Sequence, residues 1–121
     1  MKRSLADRLF SLYIRTLANF TCQRCYKQYD RSSQGLHCAH VFSRGKKTLR
    51  WSKIGALCLC YGCHRMADQH KETVLYPLYV SLYGQKAFDD LRLFSNIPGK
   101  LDEVGAVIWL RKELKRLGVE V

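Results

Sequence analysis

Two Cys-x-x-Cys pairs, Cys22/Cys25 and Cys60/Cys63, bracket the part of this 121-residue chain that is richest in reactive side chains, with 34 residues between them. Four thiolates satisfy tetrahedral zinc and leave no open position for chemistry, so the pattern predicts a structural zinc site. Rubredoxin-like iron is the competing occupant, and nothing else in the chain suggests electron transfer. His37 and His40 lie between the pairs, and His64 directly follows the last cysteine. A histidine ahead of a basic loop, with another after the second pair, suits metal-assisted phosphodiester hydrolysis. That chemistry needs a neutral imidazole to deprotonate water in line with the scissile bond and a divalent ion to neutralise charge on the phosphate and leaving oxygen. His40 fits the first role and His64 the second. Asp68, one turn after His64, is a further candidate ligand, and Cys38 and Cys58 are expected as buried small hydrophobes.

The elements that must position these groups follow from local patterns. Ser4 and Asp7 form a capping-box pattern ahead of Leu5, Leu9, Leu12, Tyr13, Leu17 and Phe20 at helical spacing, predicting an amphipathic helix to about residue 19. Arg8 and Arg15 are expected on its solvent face. Residues 26–35 read as loop and Leu36 to Phe42 as a short strand, on which His37 and His40 point oppositely unless a bulge intervenes. Residues 43–55 carry Arg44, Lys46, Lys47, Arg50 and Lys53 without an acid. Five cations on a loop between two strands favour phosphate contact. Ala56 to Leu59 is the expected returning strand, and a helix begins near His64. His70, six residues on and roughly 600° around that helix, falls on another face. Pro77 predicts a kink and Gly84 a stop. Gln85 to Phe94 is a further expected helix. Leu101 to Leu117 is the last, with a stripe of Leu101, Val104, Ile108, Leu114 and Leu117 for core or dimer contact.

Length allows one domain, read as an N-terminal helix (1–20), a zinc-stapled core (21–72) and a helical C-terminal half (73–121) of α+β class. The net charge of +11 is unevenly spread. The first 71 residues hold fourteen Lys and Arg against Asp7, Asp30 and Asp68, while the last fifty balance seven against seven. A basic field confined to one half points to a polyanion, with nucleic acid foremost. No apolar run reaches eighteen residues and no signal-peptide pattern opens the chain, so an intracellular protein without a membrane partner is expected. Six cysteines in a reducing compartment favour metal over disulfides.

The order Cys22-x-x-Cys25, His40 in LHCAHVFSRG, LRWSKIGALC, then Cys60-x-x-Cys63-His64 resembles the HNH endonucleases of the His-Me finger class. It is most similar to the NinG (Rap) recombination proteins of lambdoid phages and more distantly to phage endonuclease VII, over about residues 22–93. The resemblance implies a ββα-metal (HNH) core, zinc on the four cysteines, and magnesium- or manganese-dependent cleavage of DNA, in several members at Holliday-type junctions. It matches His40 to the general base, His64 to a metal-binding Asn or His, His70 to an Asn further along the helix, and Arg44 and Arg50 to basic residues flanking a variable loop. The family's central Asn falls on Gly55, and an acidic ligand of some relatives on Ala39. His37 stands where NinG-like proteins carry Asp and would supply the missing ligand if a bulge turned it inward. Imidazole ligands suit manganese, zinc or nickel better than magnesium.

The expectation is therefore a zinc-stapled endonuclease nicking branched or double-stranded DNA in phage recombination or DNA processing, inside an infected or prophage-carrying bacterium. A zinc-stapled DNA-binding protein without catalysis is the alternative. A homodimer would pair two cuts across a junction, and the neutral half is where a second copy would dock.

Overall fold

The computed structural model of the chain describes residues 3–121. Its architecture is mixed α+β, with five α-helices and one two-stranded antiparallel sheet. Helix α1 (Leu5–Leu17) starts at the capping box, Ser4 Oγ accepting from Asp7 N and Asp7 Oδ2 from Ser4 N. Strands β1 (Leu36–His40) and β2 (Ala56–Cys60) pair residue for residue, from Leu36 opposite Cys60 to His40 opposite Ala56. That continuous register leaves no room for the bulge considered at His37. Every residue of β2 is buried, which accounts for its unbroken apolar sequence. α1 lies against the sheet with Phe10 and Tyr13 inaccessible. Burying a side chain of this kind contributes about 2–3 kcal/mol.

Helix α2 (Tyr61–Gln69) begins within the second cysteine pair, three residues earlier than His64, because Cys60 is its N-cap and the Cys60 sulfur accepts from Cys63 N. Pro77 brings no simple kink. Residues Lys71–Leu75 form a π-helical turn, and α3 (Tyr76–Tyr83) restarts with the proline in its first turn, where its missing N–H breaks no bond. Gly84 ends α3 at φ +95°, a conformation that costs a glycine nothing. α4 (Gln85–Ser95) follows, and Phe42, Tyr76, Tyr79 and Phe88 form an aromatic cluster beneath it.

Helix α5 (Glu103–Arg116) returns to pack on α1, through the Trp109 ring edge-on to Tyr13, Tyr13 Oη donating to Glu113, and Ala6 N donating to Glu103. This contact divides the predicted stripe. Of its residues Leu114 is fully buried, as is Leu110 outside the stripe, and Leu117 packs on the core, whereas Val104 is 73% and Ile108 54% exposed and Leu101 is also exposed. No helix among the described residues is long and apolar enough to cross a membrane.

Candidate functional site

The first cysteine pair is docked onto β2 by Gln23, which uses both its backbone and its side chain. Gln23 N donates to the Cys58 carbonyl and Cys58 N to Gln23 Oε1, each at 2.8 Å. Cys22 and Cys25 are thereby brought to Cys60 and Cys63, and the four sulfurs lie within 4.8 Å of one another. Cys25 Sγ and Cys60 Sγ are 3.8 Å apart, the edge expected of a tetrahedron with zinc–sulfur bonds of about 2.3 Å. Burial works to raise the Cys22 thiol, but N–H groups of Cys25, Cys60 and Arg24 outweigh it and bring it down to about 7. Arg24 Nη1 stands 3.5 Å from Cys63 Sγ, where it offsets thiolate charge. Tyr26, just past the pair, holds φ +64°. A non-glycine residue persists in that region, at roughly 1–2 kcal/mol, only when its surroundings fix it. The cluster can hold a metal such as zinc. Cys38 and Cys58 are buried thiols pushed up to about 12 by desolvation, as expected of packing groups.

A cavity of about 460 Å³ lies between α1, the end of β1, the basic loop and α2, and His40, Arg44, His64, Asp68 and Lys71 are on its walls. His40 Nε2 is 2.8 Å from the Arg50 carbonyl oxygen. A carbonyl only accepts, so Nε2 carries the proton and Nδ1 is left as a basic lone pair. Burial holds the His40 pKa below the usual histidine value, keeping the ring neutral near pH 7.

The Arg50 carbonyl is itself held from a distance. The Arg50 guanidinium donates to Asp7 through Nε (2.9 Å) and Nη2 (2.6 Å), and the Trp51 indole donates to Asp7 Oδ1 (2.9 Å). Asp7 is 7% and Arg50 8% exposed. Burial would raise the Asp7 carboxyl, yet Arg50, the Ser4 N–H and Trp51 hold it well below the carboxylate range. Arg50 is thus a buried strut, which corrects the expectation that it meets phosphate. Asp7 is a positioning residue that sequence reasoning took only for a helix cap.

Of the other cations expected to meet DNA, Arg44 lines the His40 cavity, 3.5 Å from Asp7. Lys46 and Lys47 are exposed around a separate depression shared with Ser95 to Gly99. Lys53 lies beside an apolar cleft with Ile54, Tyr79 and Tyr83, away from His40.

Two of the other candidate ligands, Asp68 and His37, are brought against His64. Its Nε2 is 3.3 Å from Asp68 Oδ2, an ion-pair distance, and its Nδ1 is 3.0 Å from His37 Nδ1. Two nitrogens at that separation can share one proton, and among the described residues the group of three or more ligands that could hold an ion is the four cysteines. His37, its pKa lowered by burial and by His64, reaches this position without a bulge and from a second cavity that shares His64 with the first. Asp68 serves in this arrangement as the outer partner that orients His64. His70 is exposed at the C-cap of α2 and does not line the His40 cavity, so it stands apart from His64. At Gly55 an added Cβ would come within 3.0 Å of the Leu49 carbonyl oxygen, so no asparagine fits there unless the backbone shifts. Comparison with family models, curated proteins and solved structures finds no match for this chain.

Proposed function

We propose that this protein is a metal-dependent DNA endonuclease with a ββα-metal core stapled by structural zinc, nicking branched or duplex DNA in phage recombination or DNA processing. The observation that carries the reading is His40, with Nε2–H committed to the Arg50 carbonyl and its basic Nδ1 left for a cavity whose wall also bears His64. In that role Nδ1 takes a proton from water as the water oxygen bonds to phosphorus. The bond from phosphorus to the leaving sugar oxygen breaks, and that oxygen is protonated from solvent. His64 and His37 are the residues that would hold a divalent cation, with Asp68 orienting His64. Manganese or magnesium bound there supplies charge neutralisation on the phosphate and the leaving oxygen. Arg44 and Lys71 on the same walls would hold the phosphate in place. The four cysteines would take zinc and contribute stability without chemistry.

The test is nicking of supercoiled plasmid and of a four-way junction with magnesium or manganese, comparing wild type with His40→Ala. Nicking by wild type and a loss of at least a hundredfold in the variant are expected. Equal inactivity on every substrate would refute catalysis. Ala39 and Gly55, which bring no ligand or orienting side chain to the site, favour a second reading as a zinc-stapled DNA-binding protein. It predicts salt-sensitive binding with no divalent-dependent nicking.

A further inference from the structure

We propose that Arg3, Arg15 and Arg31 form a second phosphate subsite, adjoining the His40 cavity, for another backbone phosphate of the nucleic-acid strand held there. The proposal rests on the nucleic-acid reading above. The subsite is a cavity of about 450 Å³ lined by these three arginines with Ser32, Ser33 and His37. Arg3, Ser11 and His64 belong to the walls of both cavities, so one strand can pass from one to the other without leaving the protein.

Three observations make the site one for an anion. First, the arginines converge from separate segments: Arg3 ahead of α1, Arg15 on its last turn and Arg31 on the loop before β1. Second, Arg15 is half-buried instead of solvent-facing, with Nε donated to the Ser11 carbonyl at 3.1 Å. Third, among the described residues the ion pairs of arginine and lysine with carboxylates involve Arg44, Arg50, Lys86 and Arg116, and none of these three. Asp30, the acid beside Arg31, accepts from Ser32 N. Gathering guanidinium groups without a carboxylate is electrostatically costly, and an anion with several acceptor oxygens removes the cost. The planar guanidinium fork matches phosphate geometry. A strand phosphate is preferred to a free ion because the neighbouring cavity already has the groups for a phosphodiester.

The test measures binding of a labelled four-way junction by fluorescence anisotropy, with zinc-loaded protein and no added divalent ion, across a range of potassium chloride. Wild type is compared with Arg15→Gln, Arg31→Gln and, as a control on the exposed face of α5, Lys112→Gln. Each arginine variant should bind several-fold more weakly and lower the magnitude of the log–log salt slope by about 0.9, with Lys112→Gln near wild type. Arg31, on an exposed loop, keeps the test decisive if Arg15→Gln folds poorly. Slopes for both arginine variants equal to that of the control would overturn the subsite. So would inorganic phosphate displacing the junction from wild type, but not from Arg31→Gln, at sub-millimolar concentration, since the site would then serve a free ion. A wild type that binds with the predicted slopes but never nicks would sink the endonuclease reading and leave this one standing. Normal nicking with unchanged slopes would do the reverse.

Discussion

Removing the Asp7 carboxylate should cost far more than a helix cap. In Asp7→Ala, Arg50 loses both its bonds, at 2.9 and 2.6 Å, while remaining 8% exposed. Stranding one member of a buried pair typically costs about 3–5 kcal/mol, and the lost capping-box carboxylate adds about 0.5 kcal/mol. A total near 4 kcal/mol is a large part of the roughly 5–15 kcal/mol that holds a domain folded, and at this chain length it lowers Tm by roughly 15 °C. The assay is urea denaturation of zinc-loaded protein at pH 7 in a cycle of Asp7→Ala, Arg50→Met and the double variant. Because the double variant leaves no orphaned charge at position 50, it should be more stable than the sum of the single losses predicts, by about 2 kcal/mol or more. The sign with pH is also fixed. The folded carboxyl lies below its ordinary 3.8, so its contribution is complete above about pH 4. It falls away as pH drops toward the lowered value, and the gap between wild type and Asp7→Ala should narrow in acid. A cost under about 1 kcal/mol with no coupling, as for a surface pair, would refute the strut and with it the account of how the Arg50 carbonyl orients His40.

Three further outcomes are expected. Cys25 is the exposed member of the cysteine cluster, so Cys25→Ser removes a ligand with little packing loss. Metal content by atomic emission should fall well below one per chain and Tm by more than about 10 °C, given the roughly 10 kcal/mol or more of binding energy in such sites; an unchanged melt counts against the staple. Gly55→Asn, which introduces the Asn that the resemblance would place there, should lose about 1–3 kcal/mol in urea denaturation and gain no nicking activity, because its Cβ meets the Leu49 carbonyl. Higher activity would show that the backbone yields there. The acid limb of the proposed nicking rate should be centred below the usual histidine value of 6.5, because burial lowers the His40 pKa and protonation of the base then needs more acid. An acid limb centred above 6.5 would contradict the assigned base.

What the sequence showed was local, and what it concealed was a matter of which side chain is drawn inward. The Ser4/Asp7 box, the two strands, the Gly84 stop and the cysteine cluster rest on spacings of a few residues or on ligand chemistry, and the structure bears them out. The α5 stripe is buried only in part, because the helix has apolar residues on more than one side and contact with α1 draws in Leu114, with Leu110 beside it, and leaves Val104 and Ile108 exposed. Within SRGKKTLRWSKIG, composition cannot distinguish Arg50 from its neighbours. What separates them is Asp7, 43 residues away, and a run of cations reads alike as phosphate-contacting until the buried acid is located. Arg15 was misplaced for the same reason, since helical periodicity does not show how a helix is rotated against a loop such as 31–34.

The few acids of the basic half carry more information than its many cations. Asp7 is bound to Arg50, Asp30 to the Ser32 N–H, and Asp68 to His64. Each of the three is engaged in positioning backbone or side chain, and none lies with Arg3, Arg15 and Arg31 in the second cavity. A surface merely needing solubility would intersperse both signs of charge. Here the acids sit where geometry must be held, and the second cavity is lined by three arginines and no acid. A nucleic-acid backbone, the partner proposed above, carries negative charges in a row that would meet this cavity and its neighbour.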